Sequence, residues 1–237
     1  MAASLPAADV YGHKVYSRGS FLFSLFSISE RRLLAIIQAN HLGALRTGAA
    51  SGVATRLLAR AGAATVGLIG CGGRGTGAAA NALTADKNVE LTSMGDLFEG
   101  NLKSSLNLLQ KRMPEQVKVS ASQRFLGFDA YQKVIDSDVD VVVLTTPPGF
   151  RPQHLKAAIE GGKHAFVEIT PAIDAPGVRS VLESAKMAQK KGLAIVSGFC
   201  WRYHYGARAA LQKVREGAIG EIRTIYSTYY TSGLRHK

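Results

Sequence analysis

The feature that most constrains this chain is a short apolar strand that runs into a turn containing four glycines. The strand begins at Thr65, and Gly70, Gly72 and Gly75 follow at G-x-G-x-x-G spacing, before a predicted helix over residues 76–85. Glycine permits a tight turn, close approach of a phosphate to the backbone, and close packing of the helix on the strand. The helix N-terminus then faces the phosphates with free N–H groups. We therefore predict a dinucleotide site that includes Gly70, Gly72, Gly73, Arg74 and Gly75.

A second predicted strand, residues 89–94, ends just before Asp96, which lies 21 residues after Gly75. A carboxylate at this place accepts hydrogen bonds from the adenosine ribose. Leu97 and Phe98 follow, with no adjacent arginine to receive a 2′-phosphate. The pattern therefore predicts NAD as the cofactor in preference to NADP. The competing explanation is a glycine turn with only a structural role.

From residue 65 onward, apolar runs alternate with helical patterns. The predicted strands after the second are 125–128, 140–145, 164–169 and 193–198, and the predicted helices after the first are 101–112, 131–135, 152–160 and 176–191. The β-branched run at 140–145 is typical of a strand buried on both faces. This series predicts an α/β fold, a Rossmann-type doubly wound parallel sheet with its ligand crevice at the carboxyl ends of the strands.

Composition narrows the function classes. The chain has 237 residues, of which 46% are apolar and 19% charged, as in a globular protein. Cys71 and Cys200 are far apart and form no metal or disulfide motif, and Cys71 is interpreted as a packing residue. We predict no metal site and, without an uncharged apolar run of 18 residues, no membrane span.

The net charge of +12 raises the question of nucleic-acid binding. Residues 1–64 hold seven Lys/Arg against two Asp/Glu, and the remaining residues hold 22 against 15. The charges in the second part are scattered and form no basic stripe with interleaved aromatics. We therefore expect no nucleic-acid partner.

Residues 1–64 differ in character from the rest. No acidic residue occurs between Arg31 and Ala64, and Arg31-Arg32 precedes Leu33-Leu34. This pattern indicates a targeting segment, faintly similar to a twin-arginine export signal, or else a disordered extension. We expect export to a bacterial periplasm, with a cytoplasmic location as the alternative.

Four stretches together resemble the Gfo/Idh/MocA family of NAD(P)-dependent sugar and cyclitol oxidoreductases, and most closely its exported bacterial branch. They are residues 67–75, residues 145–148 with His154 downstream, residues 162–168 and residues 198–204. The resemblance covers about residues 65–237. It implies a Rossmann domain, placed at residues 65–200, followed by an α/β domain that binds a carbohydrate or polyol and forms homo-oligomer contacts.

The same resemblance implies hydride transfer between the nicotinamide and a carbinol carbon, with a lysine of a Glu-Lys-Pro motif handling the hydroxyl proton. Cofactor contacts are expected from Thr145, Pro147, His154 and Glu168. The motif here reads Glu168-Ile169-Thr170, and Ile169 cannot act as an acid or a base. Glu168 and His204 are therefore the remaining candidates for a catalytic role.

Residues 201–237 are expected to hold a linking helix and one strand, 221–231, of a truncated substrate domain. Ile169 and this short second domain favour one alternative to a working dehydrogenase, a non-catalytic NAD-binding remnant or pseudoenzyme that serves as a partner or sensor. The resemblance implies a second alternative, a relative of the glycosidases that oxidise their substrate transiently and regenerate NAD.

Overall fold

The computed structural model describes residues 2–5, 10–17, 20–38, 65–199, 202 and 205–226. The first part is a four-stranded antiparallel sheet in the order β1-β2-β3-β4. Its strands are β1 (Ala2–Leu5), β2 (Val10–Ser17), β3 (Ser20–Ser27) and β4 (Leu33–Gln38). These strands lie within residues 1–64, for which the sequence predicts a targeting segment or a disordered extension. The apolar run at 21–26 belongs to β3, and such short runs do not distinguish a strand from a targeting segment.

The second sheet has six strands and confirms the predicted doubly wound architecture. They are β5 (Thr65–Ile69), β6 (Glu90–Asp96), β7 (Arg124–Leu126), β8 (Val141–Leu144), β9 (His164–Val167) and β10 (Ile195–Ser197). All pairs are parallel, in the order β10-β9-β8-β5-β6-β7. The chain therefore moves outward from β5 in one direction and then from β8 in the other. This reversal opens a crevice at the carboxyl ends of β5 and β8, where ligands bind in such sheets.

Helices connect the parallel strands and follow the last one. They are α1 (Gly73–Ala85), α2 (Glu99–Arg112), α3 (Ala130–Asp136), α4 (Arg151–Glu160), α5 (Ala175–Lys191) and α6 (Tyr205–Arg215), with a 3-10 turn at Ala121–Gln123. Asp174 caps α5 by accepting from the Gly177 N–H at 2.7 Å. Gly192 ends that helix in the left-handed conformation, φ +69°.

The core lies on both faces of the six-stranded sheet. Along β8, Val141 and Val143 pack into one apolar cluster, whereas Val142 and Leu144 pack into the other. This alternation explains why β8 reads as a continuous β-branched run, since both of its faces are buried.

The region after β10 departs from the prediction. The linking helix is present as α6, but no strand occurs within residues 221–226, and residues 227–231 of the predicted strand lie outside the described residues. In the described part of the chain, no helix is long and apolar enough to cross a membrane.

Candidate cofactor site

The turn after β5 requires glycine at two positions. Gly70 has φ +94°, and a Cβ there would lie 2.8 Å from the Thr146 backbone nitrogen. A Cβ on Gly75 would lie 1.8 Å from the Gly70 carbonyl oxygen, so any side chain would push α1 off the strand. Gly72 and Gly73 instead have open space where a Cβ would be, and both line a cleft. The turn thus packs closely against backbone at Gly70 and Gly75, and it leaves open space at Gly72 and Gly73, which line the cleft.

Thr145 fastens this turn to the end of β8. Its hydroxyl lies 2.6 Å from the Gly70 carbonyl oxygen and 3.0 Å from that of Ile69, and it donates to them. The side chain predicted to contact the cofactor is therefore occupied in holding the turn, although Thr145 and the neighbouring Pro147 both line the cleft.

Asp96, at the end of β6, is bonded to the same turn. Its Oδ2 accepts from the Cys71 N–H at 2.6 Å, and its Oδ1 accepts from the Phe98 N–H at 2.8 Å and from Asn101 Nδ2 at 3.3 Å. Each oxygen keeps further lone pairs. The structure thus brings the predicted carboxylate to the glycine turn, in the same cleft.

Cys71 is buried beneath the turn, and its thiol donates to the Gly95 carbonyl oxygen at 3.5 Å. Burial, with a smaller contribution from the charge of Asp96, raises the pKa of this thiol well above its ordinary value. Because the thiolate is the reactive form, Cys71 is a packing residue, as predicted.

The cleft has a volume of about 440 Å³. Five aromatic side chains contribute to its lining: Phe98, Phe128, Tyr131, Phe150 and His154. Phe128, Tyr131 and Phe150 were not predicted as site residues. They follow β7 and β8 without a motif, and only the assembled sheet brings them to the cleft.

His154, a predicted site residue, has well-defined contacts in the cleft. Its ring stacks on Tyr131 with centroids 4.1 Å apart, and its Nδ1 lies 3.1 Å from the Thr146 hydroxyl oxygen. Burial lowers the pKa of His154 from 6.5 to about 4. The imidazole is therefore neutral at neutral pH, and it lines the cleft as an uncharged aromatic side chain.

Arg151 was missed in the sequence analysis. It is buried, and its guanidinium donates to the carbonyl oxygens of Thr146 at 2.7 Å, Glu168 at 2.9 Å and Thr170 at 2.7 Å. Arg151 therefore joins the segments after β8 and β9. Burial lowers its pKa, the charge of Glu168 raises it, and the charge of Arg74 lowers it. A buried arginine at the start of a helix has no distinctive sequence pattern, which is why it escaped prediction.

Glu168 directly follows β9 and is only 2% exposed. Its Oε2 accepts from the Ile169 N–H at 3.2 Å, and its Oε1 lies 3.9 Å from Nε of Arg74, which lines the cleft. No hydrogen-bond donor reaches Oε1 from the described residues. Because the carboxylate is closed off from solvent, this arrangement favours an orienting role for Glu168 over proton transfer to a substrate.

Neither position 169 nor position 204 supplies, among the described residues, a group that could accept the hydroxyl proton. Ile169 is 40% exposed and has no ionisable atom, and its peptide bond to Thr170 is cis. His204, the other predicted catalytic residue, lies outside the described residues. Within the described ranges, no group of three His, Cys, Asp or Glu side chains is placed to hold a metal ion.

A family model described as the ornithine cyclodeaminase/mu-crystallin family matches residues 10–213. The chain belongs to this family. The match begins in β2 and ends in α6, so it includes most of the four-stranded sheet as well as the parallel one. It is a different family from the one that the four sequence motifs resemble.

The curated relatives include a glycosyl hydrolase family 109 protein from Shewanella pealeana, 26% identical over 159 residues, which cover 66% of this chain and 33% of that protein. Another is the dTDP-3,4-didehydro-2,6-dideoxy-alpha-D-glucose 3-reductase of Actinomadura kijaniata, 26% identical over 111 residues, or 46% of this chain and 32% of the reductase. The matched part of the chain thus corresponds to about a third of either protein.

Solved structures support the fold. Scyllo-inositol dehydrogenase from Lactobacillus casei, solved with bound NAD(H) and scyllo-inositol, has a TM-score of 0.52 at 22% identity, over 67% of this chain and 42% of that one. The 3-ketoreductase KijD10 from Actinomadura kijaniata, solved with NADP, has a TM-score of 0.51 at 25% identity, over 68% and 46%. Both are NAD(P)-dependent oxidoreductases of the type that the motifs indicate, and the Rossmann fold is confirmed.

Proposed function

We propose that the parallel sheet binds NAD(H) across the carboxyl ends of β5, β6 and β8. The observation that carries this proposal is the bond between Asp96 Oδ2 and the Cys71 N–H, which fixes an acidic side chain against the glycine turn. The diphosphate would lie on the N-terminus of α1, over Gly72 and Gly73, and Asp96 would accept from the adenosine ribose hydroxyls. The open space above both glycines leaves room for this approach.

The same carboxylate favours NAD over NADP, because a 2′-phosphate would meet the charge of Asp96. Titration calorimetry with NADH and NADPH tests this assignment. We expect NADH to bind more tightly, and Asp96→Ala to reduce that preference, whereas Glu115→Ala, an exposed residue outside the cleft, should leave it unchanged. Equal affinities in the unaltered chain would contradict the ribose assignment.

The activity that fits this site best is oxidoreduction of a carbohydrate or polyol hydroxyl, in a protein similar to the Gfo/Idh/MocA enzymes. Bound NAD would supply the hydride acceptor. The residues of this chain would position it: the turn and Asp96 hold the adenosine half, while Arg151 fixes the segment after β9. Support for a sugar-like substrate comes from relatives named as a sugar 3-reductase and as glycosyl hydrolases. A homo-oligomer is part of the same proposal.

A glycosidase that uses NAD without consuming it is the second candidate. One observation favours it: relatives from Shewanella and Bacteroides are named glycosyl hydrolase family 109 proteins. Release of sugar from a glycoside without net NADH formation would distinguish it from a dehydrogenase. NAD binding with neither activity would favour the non-catalytic alternative.

Export is the last part of the proposal. Arg31 and Arg32 are exposed at the start of β4, which is compatible with recognition of a twin-arginine pair. A reporter fused after residue 64 tests it. Transport that depends on both arginines would support export, and a reporter retained in the cytoplasm would contradict it.

A further inference from the structure

This inference rests on the proposed NAD(H) site and concerns its nicotinamide half. The glycine turn follows β5, at the point where the strand order reverses, and Asp96 holds the adenosine half on the β6 side. An extended dinucleotide that crosses this point therefore carries its nicotinamide toward β8 and β9. The segment after β9 is where Glu168 lies, and the Arg74 side chain spans from α1 toward it.

Three charged groups meet on that side. Arg74 Nε lies 3.9 Å from the Glu168 Oε1, and Arg151 donates to the Glu168 backbone carbonyl at 2.9 Å. Two guanidinium groups and one carboxylate leave this cluster with a net charge of +1. Asp96 lies on the adenosine side of the turn, and the neighbouring imidazole of His154 is neutral at neutral pH. Arg202, which follows β10, is exposed to solvent.

This net charge acts differently on the two redox forms of the cofactor. The oxidised nicotinamide ring is a pyridinium with one positive charge, whereas the reduced ring is uncharged, and the rest of the two molecules is identical. A positive cluster in a partly desolvated cleft raises the free energy of the pyridinium form and leaves the reduced ring nearly unaffected. We propose that Arg74, Arg151 and Glu168 make this chain bind NADH more tightly than NAD+.

The three residues contribute with opposite signs. Glu168 is buried and attracts the pyridinium, so its neutral amide variant removes a strong compensating charge. Arg74 has a side chain that is 56% exposed, and solvent weakens its repulsion. Arg151 carries three carbonyl bonds, so its removal would alter the local structure as well as the charge. Glu168 and Arg74 are therefore the informative positions.

The experiment is a set of calorimetric titrations with NADH, NAD+ and ADP-ribose, which lacks the nicotinamide. In the unaltered chain we expect NADH to bind about three- to tenfold more tightly than NAD+. Glu168→Gln should increase this ratio by about tenfold, and Arg74→Gln should reduce it by about threefold. The ratio cancels any effect on the shared adenosine and diphosphate parts, including a contact of Arg74 with the diphosphate.

Matched controls carry the same charge changes at the opposite edge of the sheet. Arg112, the last residue of α2, and Glu115 are both exposed and lie outside the cleft. Arg112→Gln and Glu115→Gln should leave the NADH to NAD+ ratio unchanged, which separates the local cluster from the net charge of the whole chain. Thermal melting of each variant verifies that it is folded.

The outcomes distinguish this inference from the proposed function. Equal binding of NADH and NAD+, or a ratio that the Glu168 and Arg74 variants leave unchanged, overturns the inference and leaves the cofactor site intact. Ratios that shift in the reverse directions overturn it as well. Failure of all three ligands to bind, ADP-ribose included, overturns the proposed function itself.

Discussion

The two halves of the cleft are built in different ways. At the glycine turn, where the adenosine half is proposed to bind, backbone groups are bonded directly to Asp96, the last residue of β6, and to Thr145, which follows β8. On the nicotinamide side, the carbonyl oxygens after β8 and β9 converge on one buried arginine, and the nearby ion pair spans 3.9 Å. The first half is thus a compact hydrogen-bonded framework, whereas the second depends on a few charged side chains. We expect mutations to affect the two halves differently.

The largest effect is expected at the centre of the framework. Gly75→Ala places a methyl group 1.8 Å from the Gly70 carbonyl oxygen. Because the contact is with backbone, a shift of the turn or of α1 is needed to relieve it. We expect a loss of about 4 kcal/mol or more in the free energy of unfolding, together with loss of NADH binding. Urea unfolding measures the first quantity and calorimetry the second.

Gly77→Ala is the matched control, since it lies in the same helix with open space where its Cβ would be. It should stabilise the chain by about 0.5 to 1 kcal/mol. A Gly75→Ala variant as stable as the unaltered chain would show that the turn is not the rigid half of the cleft.

The next largest effect is expected on the nicotinamide side. Arg151→Met removes the donor from three carbonyl oxygens and leaves Glu168 with one fewer neighbouring cation. We expect a loss of about 3 kcal/mol in the free energy of unfolding. Arg151→Lys keeps the positive charge but loses the planar guanidinium group. Its free energy of unfolding should therefore lie between those of the unaltered chain and Arg151→Met.

The affinities of Arg151→Met for NADH and for AMP show whether the two halves of the cleft are independent. NADH affinity should fall in Arg151→Met, while AMP, which occupies only the adenosine half, should bind to the folded variant as it does to the unaltered chain. Equal losses for both ligands would mean that the two halves are structurally coupled.

Sequence reasoning succeeded where the chemistry is carried by backbone geometry and strand order. Three local requirements can be read directly from the sequence: glycine where the turn is tight, a carboxylate at the end of the second strand, and β-branched residues in a strand buried on both faces. They correspond to the spacing of the glycines, to Asp96 and to β8. The doubly wound order then follows from right-handed connections between parallel strands.

The residues that escaped prediction depend on tertiary contacts. Arg151 matters because β8, α4 and the segment after β9 bring three carbonyl oxygens around it, and Phe128 and Phe150 face the cleft only once β7 and β8 are aligned. The β-strands of residues 2–38 were missed for another reason. Their short apolar runs sit in an arginine-bearing, acid-poor sequence that also suits a targeting segment.

A smaller effect, dependent on pH, is expected at His154 in the cleft. Because burial lowers the pKa of His154 to about 4, the unfolded chain binds more protons than the folded one between about pH 4 and 6.5. The free energy of unfolding should therefore fall as pH is lowered through this window. After allowance for solvent near the ring, the contribution is about 1 to 2 kcal/mol.

The variant His154→Gln removes this titration. Urea unfolding of both chains at a series of pH values isolates the effect, because the contributions of all other groups cancel in the difference. The difference should change across this window and level off on either side. Parallel curves for the two chains would show that the imidazole is not held neutral in the cleft.

The smallest effect is expected at Thr145, whose hydroxyl joins β8 to the glycine turn. Thr145→Val keeps the shape and removes the donor, so the Gly70 carbonyl oxygen loses this bond. We expect a loss of about 1 kcal/mol in the free energy of unfolding, with NADH and AMP affinities reduced by the same small factor. Thr145→Ser retains the hydroxyl and should restore both affinities. If Thr145→Val weakens NADH binding but not AMP binding, the hydroxyl acts on the nicotinamide side. Thr145 would then belong to the nicotinamide half of the cleft and not to the adenosine half.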